Sequence, residues 1–145
     1  MGGSDATVVA PVSCETKFLY GETVLFGKSS LADLFDAVDR KDVRAFERFL
    51  HDQVQFRFGN ASPVSGKRAV GHAVQQFFDS LQTLRHVVAR SWVHGDTVIC
   101  SGEVTYTRVD GGELCVPFAN ILTIDSELIV EYSIYSDISG LYRGE

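Results

Sequence analysis

Hydrophobic residues recur along this chain at two spacings, and the alternation between the two marks out its elements. From residue 30 the spacing is helical: Leu31, Leu34, Phe35 and Val38 share one face, with Ser30 and Asp33 placed as a capping box. Asp42 then stands as the N-cap of a second helix whose apolar stripe is Val43, Phe46, Phe49 and Leu50, so that two short helices pack as a hairpin. Strict alternation takes over at Val54, Phe56 and Phe58, interleaved with Gln55 and Arg57, and predicts a strand that ends in the turn cluster from Gly59 to Pro63. Beyond Ser65 the helical period returns, with Val70, Val74, Phe77, Phe78 and Leu81 on the buried side. Four strands follow, over 84–93, 97–108, 113–124 and 128–137, separated by turns at His94-Gly95-Asp96, at Asp110-Gly111 and at Asp125-Ser126-Glu127. The first 28 residues are the least readable. They are expected to form a partly flexible arm in which 17–26 make either a short strand pair or a lid, with Phe18, Leu19 and Phe26 over a sheet edge or an opening. Residues 29–145 form one domain.

The Asp110-Gly111 pair is the strongest local signal, because a two-residue type I′ turn needs positive φ at both central residues. Pairing outward from that turn sets Thr105 opposite Val116, Glu103 opposite Phe118 and Ser101 opposite Asn120, all on one face. Sliding the turn by two residues brings Glu103 opposite Asn120 and leaves the face unchanged. A carboxylate, an amide and hydroxyls on a face that should be core predict a ligand cavity, since buried polar groups cost free energy unless something satisfies them. The other face, with Val104, Tyr106 and Cys115, is then too apolar for water and is expected to pack on a second copy, giving a homodimer.

At 145 residues the chain suits one domain, and ten phenylalanines promise a core of large flat side chains. A net charge of -6 and the absence of any Lys/Arg cluster exclude a nucleic-acid surface. Three cysteines, Cys14, Cys100 and Cys115, show no metal-ligand spacing and read as reduced thiols of a cytoplasmic protein. No apolar run reaches membrane-spanning length, and no secretory leader pattern opens the chain, so no membrane partner is expected. His51, His72, His86 and His94 lack metal-site spacing, no glycine-rich stretch carries a nucleotide fingerprint, and no nucleophile elbow is present. Any chemistry is expected to run without metal or cofactor.

Helix, helix, strand, helix and four sequential strands is an α+β order. The run Asp42-Val43-Arg44-Ala45-Phe46 leading to His51-Asp52, the stretch from Phe56 to Gly66, Leu84-Arg85-His86, the segments 102–108 and 116–120, and 131–137 together resemble the SnoaL-like branch of the nuclear transport factor two-like superfamily over residues 30–141. The resemblance implies a cone-shaped fold in which a curved, mostly antiparallel sheet wraps three N-terminal helices around an internal pocket. It also implies relatives of several kinds: ketosteroid isomerases, epoxide hydrolases, polyketide cyclases and proteins with no chemistry. The position of the isomerase base falls on Arg57 or Phe58, and that of the isomerase acid on Asn120. The aspartate of the hydrolases and cyclases falls on Ile134, and the hydrolase arginine and aspartate partners on Glu103 and Thr105. The first-strand base and last-strand aspartate of those families are therefore missing, which argues against their chemistry in its usual form.

Glu103 is the candidate acid or base that remains, desolvated if it faces inward. The plain alternative is a Glu paired with Arg57 or Arg90, or one turned to solvent because the strand's faces are exchanged. His86, sharing a parity with Val88 and Trp92, either pairs with Glu103 for acid–base work or is a satisfied core histidine. Asn120 and Tyr132 either donate to a carbonyl or enolate or satisfy backbone groups, and Asp137 lies at the cone mouth or caps the final turn. Leu34, Phe35, Val38, Phe56, Phe58, Phe77, Thr105, Phe118 and Ile134 are expected to line the pocket. Two functions fit. One is a cofactor-independent cyclase or isomerase acting on an apolar polyketide- or terpenoid-like small molecule; the other is a non-catalytic ligand-binding or assembly domain.

Overall fold

The computed structural model describes residues 7–9 and 28–142 of the chain. In order these form β1 (Thr7–Val9), α1 (Lys28–Asp39), α2 (Val43–Glu47), β2 (Leu50–Phe58), β3 (Val64–Ser65), α3 (Lys67–Asp79), β4 (Leu81–His94), β5 (Thr97–Arg108), β6 (Glu113–Asp125), β7 (Leu128–Tyr135) and a 3₁₀ turn at Ser139–Tyr142. All seven strands join one sheet in the order β1-β4-β5-β6-β7-β2-β3, antiparallel except where β2 runs parallel to β7. The architecture is the α+β cone expected, with the curved sheet left open. Three residues of the N-terminal arm are the edge strand β1; the proposed strand pair or lid at 17–26 lies outside the described residues.

The helices follow the apolar period, with local corrections. Leu31, Leu34, Phe35 and Val38 are buried on α1 as their spacing requires, but the helix starts at Lys28, so Ser30 lies inside it and not at its N-cap. At its end the Asp42 amide donates to the Ala37 carbonyl and the Lys41 amide to that of Val38, a Schellman motif with lysine in the left-handed position usually given to glycine (φ 59°). The Lys41 ammonium donates to the carbonyls of Phe78 and Leu81 just beyond, which ties the end of α1 to the end of α3. Asp42 caps α2 as predicted, accepting from the Ala45 amide at 3.0 Å. That helix is only five residues long, so Phe49 and Leu50 fall beyond it and Leu50 opens β2. Alternation concealed this earlier start because the β2–β7 register shifts between Leu50 and Gln55. Leu81, expected on α3, likewise begins β4.

The β5–β6 turn decides the faces of the sheet. The Gly111 amide donates to the Arg108 carbonyl, the Arg108 amide donates to the Gly112 carbonyl, and positive φ occurs at Gly111 but not at Val109 or Asp110. This is a three-residue loop, a type I turn closed by a left-handed glycine, and not the two-residue type I′ turn expected. One extra loop residue slips the register by one, pairing Cys100 with Asn120, Gly102 with Phe118 and Val104 with Val116. Because strand side chains alternate, that slip exchanges every face assignment on β5 relative to β6. Val104 and Tyr106 are buried inward, whereas Glu103 is exposed outside.

A second irregularity acts on β4. Pairing with β5 shifts between Val88 and Arg90, so His86 and Val88 face inward with Ser91, while Trp92, expected to share their face, turns outward opposite Ile99. Gly102 sits across from this bulge, and a Cβ there would fall on the Val87 carbonyl. Only glycine allows the two backbones this approach.

Candidate active site

The inner face of the sheet, α1 and α3 border a cavity of about 1040 Å³ that is lined as well by the 59–62 loop and by Ser136, Asp137, Ile138, Ser139 and Tyr142. Its wall is mostly aromatic, in a run of ring contacts. Phe58 meets Phe77 edge-on at 5.2 Å, Phe77 meets Tyr106 at 5.8 Å, and Tyr132 lies between Phe56 at 5.3 Å and Phe46 at 5.8 Å. These residues come from α2, α3, β2, β5 and β7, so no local stretch of sequence builds the wall. Apolar walls around a few convergent polar groups are the usual form of a small-molecule site.

The polar groups centre on His86. Its Nδ1 lies 2.7 Å from Asp39 Oδ1, and its backbone amide donates to Asp39 Oδ2 at 3.0 Å, so one carboxylate holds both ring and main chain. Asp39 occupies the last turn of α1, where the Schellman turn and the Lys41 anchor fix the helix end against β4. Phe35 and Phe118 pack against the imidazole with ring centroids at 4.7 and 5.1 Å. With Nδ1 donating to a carboxylate, a neutral ring presents the Nε2 lone pair, the arrangement that orients a general base. His86 lines the cavity and is only 10% exposed.

Two buried phenols share the cavity. Burial raises the Tyr132 hydroxyl far above its ordinary range, with Cys100, Tyr106 and Asp39 adding to the effect. Burial does the same to Tyr106, with Tyr142 and Asp39 contributing. Both therefore stay protonated and act as donors. Asn120 on β6 completes the polar set. Asp137 accepts from the Ser139 amide at 3.0 Å, which caps the 3₁₀ turn, and it also lines the cavity. Among the described residues, no group of three or more His, Cys, Asp or Glu converges to hold a metal ion, and no helix is long and apolar enough to cross a membrane.

Of the residues expected to act, His86, Asn120 and Tyr132 line the cavity together with Val38, Phe56, Phe58, Phe77, Phe118 and Ile134. Leu34 and Phe35 are buried in the core without lining it; Phe35 reaches the site only through its contact with His86. Glu103 and Thr105 are on the outer face, paired with Pro117 and Cys115, and Glu103 accepts from the Cys115 thiol at 3.8 Å. The proposed Glu103–His86 pair is thus corrected: the carboxylate partner of His86 is Asp39. Sequence reasoning missed Asp39, although an acidic side chain in the last turn of a helix opposes the helix dipole and so asks for a reason. It also missed Tyr106, assigned outward by the one-residue slip. Arg57 and Phe58, the two alternatives for the first-strand base position, both border the cavity, as does Ile134.

The chain matches the SnoaL-like domain family over residues 31–132. A comparison with curated proteins finds no match. Among solved structures it is similar to a protein of Jannaschia sp. CCS1 assigned as a SnoaL-like polyketide cyclase, with 18% identity and a TM-score of 0.70 over 78% of this chain and 86% of that one. An NTF2-like protein of Exiguobacterium sp. 255-15 shares 23% identity at a TM-score of 0.65, covering 75% of this chain and 98% of that one. An LEH-like epoxide hydrolase of M. tuberculosis shares 12% identity at a TM-score of 0.68, covering 79% and 85%. At such identities the likeness is one of fold.

Proposed function

We propose, on the footing that this chain belongs to the SnoaL-like domain family, that it is a cyclase or isomerase that moves a proton on a largely apolar, ring-forming small molecule of polyketide or terpenoid type. The observation that carries this is the Asp39–His86 pair at 2.7 Å on the wall of a 1040 Å³ aromatic cavity. Asp39 orients the imidazole, Nε2 takes a proton from a carbon beside a carbonyl, and the Tyr106 and Tyr132 hydroxyls donate to the enolate oxygen that results. The enolate then attacks within the same molecule or is reprotonated elsewhere, with His86 returning the proton. The chain's own side chains carry each of these steps. Arg57, Phe58 and Ile134 provide no carboxylate where the resembling families keep theirs, so the base comes from a different wall of the same cone. The similarity to proteins named polyketide cyclase and epoxide hydrolase supports a small-molecule substrate.

The test is proton exchange at an activated carbon, which needs no knowledge of the natural substrate. The protein should accelerate exchange of the α-protons of 2-tetralone in D₂O, followed by ¹H NMR, and His86→Gln should slow it by roughly 100-fold while retaining the fold. Exchange at the buffer rate, or a His86→Gln protein as fast as the native one, refutes the proposal. A protein that binds 2-tetralone without exchanging it is the non-catalytic binding domain.

A further inference from the structure

Among the described residues, one buried side-chain nitrogen or oxygen lacks a hydrogen-bond partner: Oδ1 of Asn120. Folded proteins pair nearly all such atoms, because an unpaired buried acceptor forfeits the bonds it made in water. Asn120 is only 2% exposed, so bulk water does not compensate it, yet it borders the cavity. Its sheet neighbours across β5 and β7 are Cys100 and Ile134, neither of which offers a strong donor. The terminal torsion of an asparagine is broad, so rotation about it can present the amide oxygen to the cavity that the residue lines. Of the polar side chains beside it on the cavity wall, the buried phenols Tyr106 and Tyr132 stay protonated as donors, and His86 holds Asp39 through Nδ1, which leaves Nε2 as a second acceptor.

We infer that Asn120 is a specificity residue, its amide oxygen accepting a hydrogen bond from a hydroxyl or N–H of the ligand. The cavity then selects aromatic skeletons that carry a donor over the same skeletons without one. A site with a buried acceptor discriminates strongly, because a ligand lacking the donor leaves that acceptor unpaired. This rests on the reading of the cavity as a ligand site but not on proton transfer, so binding alone tests it.

The probes are 2-naphthol and 2-methoxynaphthalene, alike in ring system, with Kd measured by NMR titration. The native protein should favour 2-naphthol by about tenfold or more. Asn120→Leu should abolish that preference, and Asn120→Ala should do the same if the larger side chain disturbs the fold. His86→Phe, which removes the imidazole acceptor and keeps a ring between Phe35 and Phe118, should preserve it. Equal affinities in the native protein, tighter binding of the methyl ether, no binding of either probe at millimolar concentration, a preference that survives at Asn120→Ala, or one that vanishes in His86→Phe each overturns the assignment. Slow proton exchange with the preference intact would instead count against the dyad alone.

Discussion

Replacing Asp39 by asparagine removes the charge that orients His86 while leaving the shape of the site nearly unchanged. An asparagine at this position still accepts from the His86 main-chain amide, the 3.0 Å bond of Asp39 Oδ2. Its NH₂ group, however, now faces the ring nitrogen that Asp39 Oδ1 held at 2.7 Å. A donor there favours the tautomer with the proton on Nε2, and a protonated Nε2 cannot take a proton from substrate. Turnover should fall by about 10²- to 10⁴-fold, the range set by losing one oriented base at the low end and by a wrong tautomer at the high end. Stability should fall by much less. One charge-assisted hydrogen bond is lost from a side chain that is 24% exposed, and the partial exposure trims the cost to about 1–2 kcal/mol. The assay is 2-tetralone exchange in D₂O beside a thermal melt of the same preparation, with Asp39→Ala as the comparison. Alanine presents no donor to Nδ1 and leaves both tautomers open, so it should retain more activity than asparagine although it loses both hydrogen bonds. An Asp39→Asn protein that exchanges at the native rate, or an alanine variant slower than the asparagine one at equal folded fraction, would show that the carboxylate does not set the tautomer.

Glu103 lies outside the cone, so Glu103→Gln should leave exchange within about twofold of native; a loss of tenfold or more would return that carboxylate to the chemistry. Burial raises both Tyr132 and Tyr106, so folding favours their protonated forms; that contribution is complete below the ordinary tyrosine range and drains away as pH rises through and above about 10. Alkaline melts should accordingly show a steep loss of stability above that pH and a shallower one in Tyr132→Phe; identical slopes would contradict the burial argument. We propose that two copies of the chain pair through the outer sheet face. The residues concerned are Val87, which is 58% exposed, with Trp92, Ile99 and Ile121, in place of Val104 and Tyr106. Light scattering should give twice the chain mass for the native protein and the single mass for Ile121→Lys, and a native monomer at micromolar concentration would dispose of the dimer.

The sequence by itself determined whatever depends on neighbours within a few residues. The helical period of Leu31, Leu34, Phe35 and Val38, the cap at Asp42 and the alternation through Phe56 and Phe58 all reappear in the fold, because each is a local pattern with a local energetic cause. The α+β order, the cone and much of the aromatic wall followed from those patterns and from the resemblance they carried. The tertiary structure decided which polar groups meet. One residue more in the Arg108–Gly112 turn carried Glu103 out of the cavity and Tyr106 into it, and a bulge near Ala89 turned Trp92 away from His86. Parity along a strand is legible in sequence, but the register that converts parity into a face rests on a few turn hydrogen bonds, for which Asp-Gly admits more than one solution. Asp39 shows the same limit at longer range. It reaches His86 across 47 positions of chain, and only the docking of the end of α1 on β4, held through the Lys41 anchor, brings the two together.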